Sequence, residues 1–378
     1  MSARRNLLVV LSLLVLLHVY IGLRLVPDLG LGLLGILAGS AGLLLSAALV
    51  PVGLLSSSLK RRRWSEQLAW VGLLAMGLFS SLLVLTFLRD LFLLAVVLSG
   101  FGSTALNYYS ALAVPLLALA VTGIGFVNAR RVARVVKVDV PIAGLPAALH
   151  GYAIAQISDI HVGPTIKRPY LEAIVERVNG LGADAIAVTG DLVDGSVQRL
   201  SSHTQPLALL SAPDGAFFVT GNHEYYSGAE EWIAELRRLG LTVLLNQHVV
   251  RERGGATLMI AGVADFSAHH FNQAHRSDPQ QAAAGAPPGL AVRILLAHQP
   301  RSASAAATAG FDLQLSGHTH GGQFFPWNLF VPLQQPFVAG LHRVKRLWVY
   351  TSRGTGYWGP PKRFGAPSEI TLLRLVPA

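Results

Sequence analysis

Between residues 1 and 129 the chain carries eight Lys or Arg and three Asp or Glu; the other 22 basic and 17 acidic groups lie beyond residue 129. So long a stretch with so few charges predicts a membrane region. The remaining 249 residues carry enough charge for a water-facing domain with its own core. Over the whole chain 13% of residues are charged, about half the ~25% usual in globular proteins. That excludes a disordered chain. Cysteine is absent, so disulfides, thiolate metal sites and a cysteine nucleophile are excluded. The net charge of +10 would suit nucleic acid, but in a membrane protein basic residues more often set topology or meet anionic lipid.

Asn6 to Arg24 has the length of one crossing, about 20 residues, with no small-residue cleavage site after it. Leu31 to Leu55, Gln67 to Leu88, and a segment anchored by Leu112 to Val127 read as three more spans. Leu91 to Ser99 is too short to cross alone and is read as re-entrant, interfacial, or an extension of a neighbouring helix. Arg89 and Asp90 read as a solvated or mutually paired turn near the outer face, with an intramembrane functional pair as the alternative. The basic clusters at Arg4-Arg5, Lys60 to Arg63, and Arg130 to Lys137 place those points on the cytoplasmic side. Four spans satisfy all three clusters and put the rest of the chain in the cytoplasm, in an inner-membrane protein. A fifth would put it outside. The organisation expected is a transmembrane region at 1–129, a basic juxtamembrane linker at 130–149, and a catalytic domain at 150–378.

From residue 150 short apolar strands alternate with helices, the pattern of βαβ units. The residues that terminate the strands are informative. Tyr152–Ile157 runs into Ser158-Asp159-Ile160-His161, and Ala185–Val188 into Thr189-Gly190-Asp191 with Asp194 beyond. Ala216–Val219 runs into Thr220-Gly221-Asn222-His223-Glu224. Val292–Leu296 leads to His298, and Phe311–Leu315 to Ser316-Gly317-His318-Thr319-His320. Open α/β sheets bind ligands at that edge. The glycines before Asp191, Asn222 and His318 permit sharp turns and close backbone approach. A lone strand-end Asp is usually a turn and a lone His an ordinary surface residue; five in succession are not. Imidazoles, carboxylates and one amide oxygen suit divalent ions such as Mn²⁺, Fe²⁺ or Zn²⁺. Seven protein ligands are too many for one open site. With one carboxylate bridging they fit two ions about 3.5–4 Å apart.

Asp-x-His, Gly-Asp-x-x-Asp, Gly-Asn-His-Glu, a lone His and Gly-His-x-His, complete and in this order, resemble the calcineurin-like metallophosphoesterase superfamily over residues 150–375. Ser158 to Pro164, Gly317 to Gln323, and Gly354 to Pro361 resemble its membrane-associated branch, which acts on phospholipids and UDP-diacylglucosamine. The resemblance implies an α/β/β/α double-sheet sandwich behind the α-helical transmembrane bundle. It implies that Asp159, His161 and His320 hold one metal, that Asn222, His298 and His318 hold a second, and that Asp191 bridges. His223 would contact the phosphate and protonate the leaving oxygen. The cofactors implied are two divalent ions, Mn²⁺ first, with Fe²⁺ or Zn²⁺ as alternatives. The reaction implied is metal-hydroxide attack on a phosphodiester or pyrophosphate.

Asp194 and Glu224 are expected to orient ligands or turns. Arg353, Tyr357 and Trp358 are candidates for binding substrate. Phe324 to Trp327 face either the core or acyl chains. His269, His270 and His275 read as solvated loop residues or a third metal site. The expected partners are the lipid bilayer and a phosphorylated lipid. Nucleic acid is not expected, since no aromatic-basic stacking groove is evident, and no protein partner is inferable. The competing functions are a nucleotide or nucleic-acid phosphodiesterase merely anchored at the membrane, and a transport or interaction protein with a regulatory metal domain.

Overall fold

The computed structural model describes residues 2–56 and 62–378. Lys60 and Arg61 of the second basic cluster lie outside the described residues, as do the side chains of Arg4, Arg62 and Arg63. The chain divides into two compact units. One comprises residues 1–127 together with Gly359–Phe364, and the other holds 128–358 and 365–378.

The first unit is built on helices α1 (Ser2–Leu25), α2 (Leu33–Leu55), α3 (Arg62–Leu98) and α4 (Thr104–Arg130). All four are long and apolar enough to cross a membrane. Leu91 to Leu98 is the last part of α3, whose 37 residues make a helix about 55 Å long; of the readings open for that stretch, helix extension is the one observed. Gly53 of α2 and Gly72 of α3 meet so closely that a Cβ on Gly72 would lie 2.4 Å from the Gly53 Cα, the small-residue contact by which membrane helices approach. Arg89 and Asp90 are not paired with each other. Arg89 is buried and donates to the Asp28 carboxylate, to the Arg24 carbonyl at 2.8 Å and to Ser110 Oγ at 2.9 Å. Asp90 accepts from Tyr20 at 2.6 Å and pairs with Arg24 at 3.0 Å. The Gly359–Phe364 segment contributes two buried cations to this unit. Lys362 Nζ donates to the Gly77 carbonyl at 3.0 Å, to Ser81 Oγ, and to Thr122 Oγ1 at 3.3 Å, while the Arg363 amide donates to the Gly125 carbonyl at 2.8 Å.

The second unit begins with β1 (Arg134–Ile142) and β2 (Ala153–Ile157), then α5 (Arg168–Asn179), β3 (Ala185–Val188), α6 (Val197–Thr204), β4 (Ala216–Phe218), α7 (Asn222–Ser227), α8 (Ala229–Arg238) and β5 (Thr242–Val243). It continues with β6 (Gln247–Arg253), β7 (Ala256–Gly262), α9 (Pro279–Ala283), β8 (Val292–Leu296), α10 (Ala303–Thr308), β9 (Leu313–Ser316), β10 (Gly340–Val344), β11 (Leu347–Thr351) and β12 (Glu369–Pro377). Two six-stranded mixed sheets result, ordered β1-β12-β2-β3-β4-β5 and β10-β11-β9-β8-β7-β6. Residues 134–142, expected as linker, are therefore the outer strand of the first sheet, in parallel register with β12 from Arg134 opposite Glu369. Val140 and Ile142 are buried along it, which a solvated linker would not allow.

Alternate residues of each central strand go to opposite sides, and both sides are buried. Ala185, Ala187, Phe217, Ile260, Ile294 and Leu296 fill one cluster between the sheets. Ile186, Val188 and Phe218 face the opposite way, against Leu171, Ile174 and Val175 of α5 and Trp232 and Leu236 of α8. Met259, Ala261 and Leu295 face Ala303 and Ala306 of α10. The strands are continuously apolar because neither face meets water. The layering is the helix, sheet, sheet, helix order of a metallophosphoesterase sandwich.

Candidate metal centre

β2, β3 and β4 are parallel neighbours, and so are β8 and β9. Parallel strands end at a common edge, and all five deliver a polar side chain just beyond their last residue. The turns that do so are conformationally costly. Asp159, His161, Asp191, His318 and His320 all have left-handed backbones, with φ between 51° and 70°. For non-glycine residues such values cost on the order of 1 kcal/mol each and collect at functional sites. The three glycines flagged by the sequence lie where no side chain fits. A Cβ on Gly190 would sit 2.6 Å from the Gly221 amide, on Gly221 2.2 Å from Asp191 Oδ1, and on Gly317 2.1 Å from Asp159 Oδ2.

The donors form two principal groups. Asp159, His161 and His320 bring ligand atoms within 4.8 Å of one another, as do Asp191, His298 and His318. Nitrogen faces nitrogen in each: His161 Nε2 lies 3.0 Å from His320 Nε2, and His298 Nε2 lies 3.2 Å from His318 Nδ1. Asp191 Oδ2 stands between the groups, 3.2 Å from His298 Nε2 and 3.9 Å from His161 Nε2. Asn222 opens α7, and its buried Oδ1 has no hydrogen-bond partner. An orphaned buried acceptor beside convergent imidazoles and carboxylates is the donor chemistry of a divalent cation site. The seven residues named from the sequence therefore fit a pair of such ions.

A second tier sets which atoms face inward. His298 Nδ1 points at the Thr189 carbonyl at 2.8 Å and His161 Nδ1 at Asp194 Oδ1 at 3.0 Å, so both present Nε2. His223 Nδ1 approaches the same Asp194 oxygen at 2.6 Å, and its backbone amide donates to Asp191 Oδ1 at 2.8 Å. Glu224 is buried and accepts the amides of Asp191, Leu192 and Gly221 at 3.0, 2.8 and 2.6 Å, tying the β3 and β4 loops together. Gln335 went unnoticed in the sequence because no local pattern marks it. With its amide oxygen turned inward it accepts from Arg301 Nη2 at 3.0 Å and from His318 Nε2 at 3.2 Å, which leaves His318 Nδ1 for the centre.

The electrostatics agree with these roles at Asp191, Asp194 and His318, whereas burial raises the Asp159 carboxyl and, against burial, the Asp191 carboxylate raises His298. Burial raises the Asp191 carboxyl, but His298, His223 and His161 overcome it and hold it well below the usual range. Burial likewise opposes ionisation of Asp194, yet His161 and His223 keep it low. Burial, with His298 beside it, lowers His318 to about 3, so it is a neutral imidazole able to bind a cation. His223 is the contrary case. Burial disfavours its cation, but the hydrogen bond to Asp194 and the charges of Asp191 and Asp194 raise it to about 9.

Around the centre lies an aromatic rim. The rings of Tyr226 and Trp358 come within 5.2 and 5.6 Å of His223, and Phe271 within 5.6 Å of Tyr226. Trp358 is thus beside the site. Arg353 packs against the site turn, its Cγ 3.0 Å from where a Gly321 Cβ would be, and its Nη1 donates to Glu369 at 2.9 Å. Tyr357 is corrected: it is a core residue, 1% exposed, with its hydroxyl directed to the Thr165 carbonyl and to Arg130. A buried ring so held cannot meet a substrate. Tyr226 and Phe271 were missed, although Tyr226 follows directly on Asn-His-Glu-Tyr. Phe324 is buried, but Phe325, Trp327, Leu329, Phe330 and Leu333 are exposed just beyond the His320–Gln323 turn. Among the described residues His269, His270 and His275 join no group of three metal donors; His275 meets the Tyr225 hydroxyl at 2.9 Å instead.

A family model described as calcineurin-like phosphoesterase matches residues 152–322. A protein of Danio rerio named transmembrane protein with metallophosphoesterase domain is 40% identical over 274 residues, 69% of this chain and 62% of that protein. Its namesake in Bos taurus is 40% identical over 280 residues, 70% of this chain and 63% of that protein. An uncharacterized metallophosphoesterase of Aquifex aeolicus is 32% identical over 246 residues, 64% of this chain and 91% of that protein. The chain thus spans somewhat over three fifths of the two vertebrate relatives.

Proposed function

The chain belongs to the calcineurin-like phosphoesterase family, and on that premise we propose that it is a membrane-anchored, two-metal hydrolase of a lipid-linked phosphodiester or pyrophosphate. The observation that carries the hydrolase reading is the convergence of seven donors, six of them buried and His318 half-buried, with Asp191 between the two groups. The lipid reading is supported by the exposed apolar segment Phe325 to Leu333 beside the site turn, and by the four apolar helices on the same chain.

On this reading Asp159, His161 and His320 would hold one ion, Asn222, His298 and His318 a second, and Asp191 would serve both. Two divalent cations, when bound, supply Lewis-acid stabilisation of phosphoryl charge and acidify water. The chain's own residues do the rest. His223, protonated at neutral pH, its Nε2 4.0 Å from Asp191 Oδ2 and in no hydrogen bond among the described residues, donates its proton to the leaving oxygen. Asp194 accepts the ring's Nδ1–H, which fixes its orientation, and offsets the imidazolium charge. Trp358 and Tyr226 flank the ring and exclude water from one side of it. Arg353, beside Gly321 and paired through Nη1 with Glu369, would meet an anionic headgroup. Phospholipid and UDP-diacylglucosamine are the substrates to test first.

The 378-residue chain in detergent, stripped by chelator and reloaded with Mn²⁺, Fe²⁺ or Zn²⁺, should hydrolyse bis-p-nitrophenyl phosphate and, faster, one of the lipid substrates. Mn²⁺ is expected to restore the most activity. Faster turnover of soluble nucleotides than of any lipid would reject the lipid reading and keep the hydrolase. We place the second unit in the cytoplasm from the basic residues flanking the spans. Because 134–142 is a strand, reporter fusions belong after Arg131. Alkaline phosphatase activity there, with a dark fluorescent fusion, would reverse the orientation.

A further inference from the structure

We propose that a groove beside β1, on the second unit, holds the headgroup of an anionic phospholipid, apart from the metal centre. The groove has a volume of about 690 Å³ and runs between β1 and α5. Arg134 and Lys137 line it from the strand and Arg177 from the helix, with Glu176 the one acidic side chain among the lining residues. All four are exposed. Arg134, Lys137 and Arg177 have no ion-pair or side-chain hydrogen-bond partner among the described residues, whereas Arg130, Arg168, Arg238, Arg253 and Arg374 of the same unit do. Val132, Val135, Ala173 and Leu181 give it an apolar floor.

Three unneutralised cations over an apolar floor match a phosphate ester carried on a glycerol backbone. They do not suit a neutral ligand, and the cations exceed the single acid by two. The occupant is a lipid because of where the groove lies along the chain. Val132 follows Arg130, the last residue of candidate span α4, by two positions. Connectivity alone keeps Val132 within about 7 Å and Arg134 within about 14 Å of the helix end, so that end of the groove starts inside the Debye length of an anionic surface. β1 is the outer strand of its sheet, so nothing in the sheet covers this side.

The test uses the full chain in neutral detergent and its melting temperature. Added phosphatidylglycerol should raise it by several degrees, phosphatidylcholine should not, and millimolar inorganic phosphate should not. In R134Q/K137Q/R177Q the phosphatidylglycerol shift should disappear, with affinity lower on the order of 100-fold, about fivefold per cation. R237Q/R238Q/R276Q, which removes the same charge elsewhere, should keep the shift. A shift that survives in the first triple variant overturns the proposal, as does its loss in both. An equal shift with inorganic phosphate overturns the lipid source. Should the triple variant not fold, R177Q alone, assayed by native mass spectrometry, should retain fewer phosphatidylglycerol molecules than the parent; equal retention overturns the site.

Discussion

Gly317→Ala isolates the role of close backbone approach at the metal centre, because it adds one methyl and removes no ligand. The new Cβ would lie 2.0 Å from Ser158 Oγ and 2.1 Å from Asp159 Oδ2. Ordinary contact begins near 3.4 Å, so the Asp159 carboxylate must retreat by roughly 1.3 Å or the turn must open. Neither is easy. Asp159 is fully buried, its oxygens accept the His318 amide at 2.9 and 3.1 Å, and its backbone is already left-handed. Overpacking of this kind costs about 1–3 kcal/mol, which lowers the melting temperature of a domain of this size by about 2–12 °C. A ligand misplaced by about 1 Å costs about 10²-fold in rate. We expect kcat to fall at least that far and the metal content at limiting Mn²⁺ to drop toward one ion. Gly180→Ala, whose Cβ would stand at an ordinary 3.5 Å from the Glu176 carbonyl, should change neither. Full metal content with kcat within twofold of the parent in Gly317→Ala would show that this contact does not position Asp159.

Removal of the anion between the two donor groups, in Asp191→Ala, should abolish turnover and lower the bound metal, read by elemental analysis; two ions retained with near-normal activity refutes its bridging role. His223→Ala should lower kcat by about 10²–10⁴-fold, the range of a lost general acid, with both ions kept; an ion lost along with activity would make His223 a ligand. In chelator-stripped protein His223 should titrate near 9 by NMR, and Asp194→Asn should bring that midpoint down; an unmoved midpoint refutes the pairing. Since the folded value is raised above 6.5, this pair stabilises the stripped protein fully below pH 6.5, and the contribution fades as pH rises through 9, measurable by urea unfolding across that range.

The metal ligands were legible because their signal is local. Strand ends carry the donors, and glycine sits where another backbone or a carboxylate comes within van der Waals distance. The four helices were legible from hydropathy. The strand at 134–142 was not, because its buried face is only Val140 and Ile142, the rest being intermediate or exposed, and its partner β12 starts at Glu369, 235 residues further on. Tyr357 misled because it adjoins Trp358; the two rings go to opposite environments, one into the core and one beside His223. Gln335 reaches His318 from a loop, and Arg301 reaches Gln335 from a 3₁₀ turn, neither with a motif of its own. Arg89 and Asp90 are adjacent in sequence but take different partners, Arg89 the Asp28 carboxylate and Ser110, Asp90 the Tyr20 hydroxyl and the Arg24 side chain.

Lys362 and Arg363 complete the helical unit from far down the chain. Lys362 joins Gly77 across 285 positions and Thr122 across 240. A ribosome therefore releases α1 to α4 into the membrane long before the six residues that finish their packing exist. Until then Ser81, Thr122 and the Gly77 carbonyl must be satisfied by water or by one another, and the helical unit has a provisional form. Its last step is a long-range closure that waits on synthesis of the whole sandwich, a slow class of contact. The same fact warns against cutting the chain at residue 127. The sandwich expressed alone would carry Lys362 and Arg363 on a strip shaped for helices that are no longer there, and the helices alone would lack their final piece.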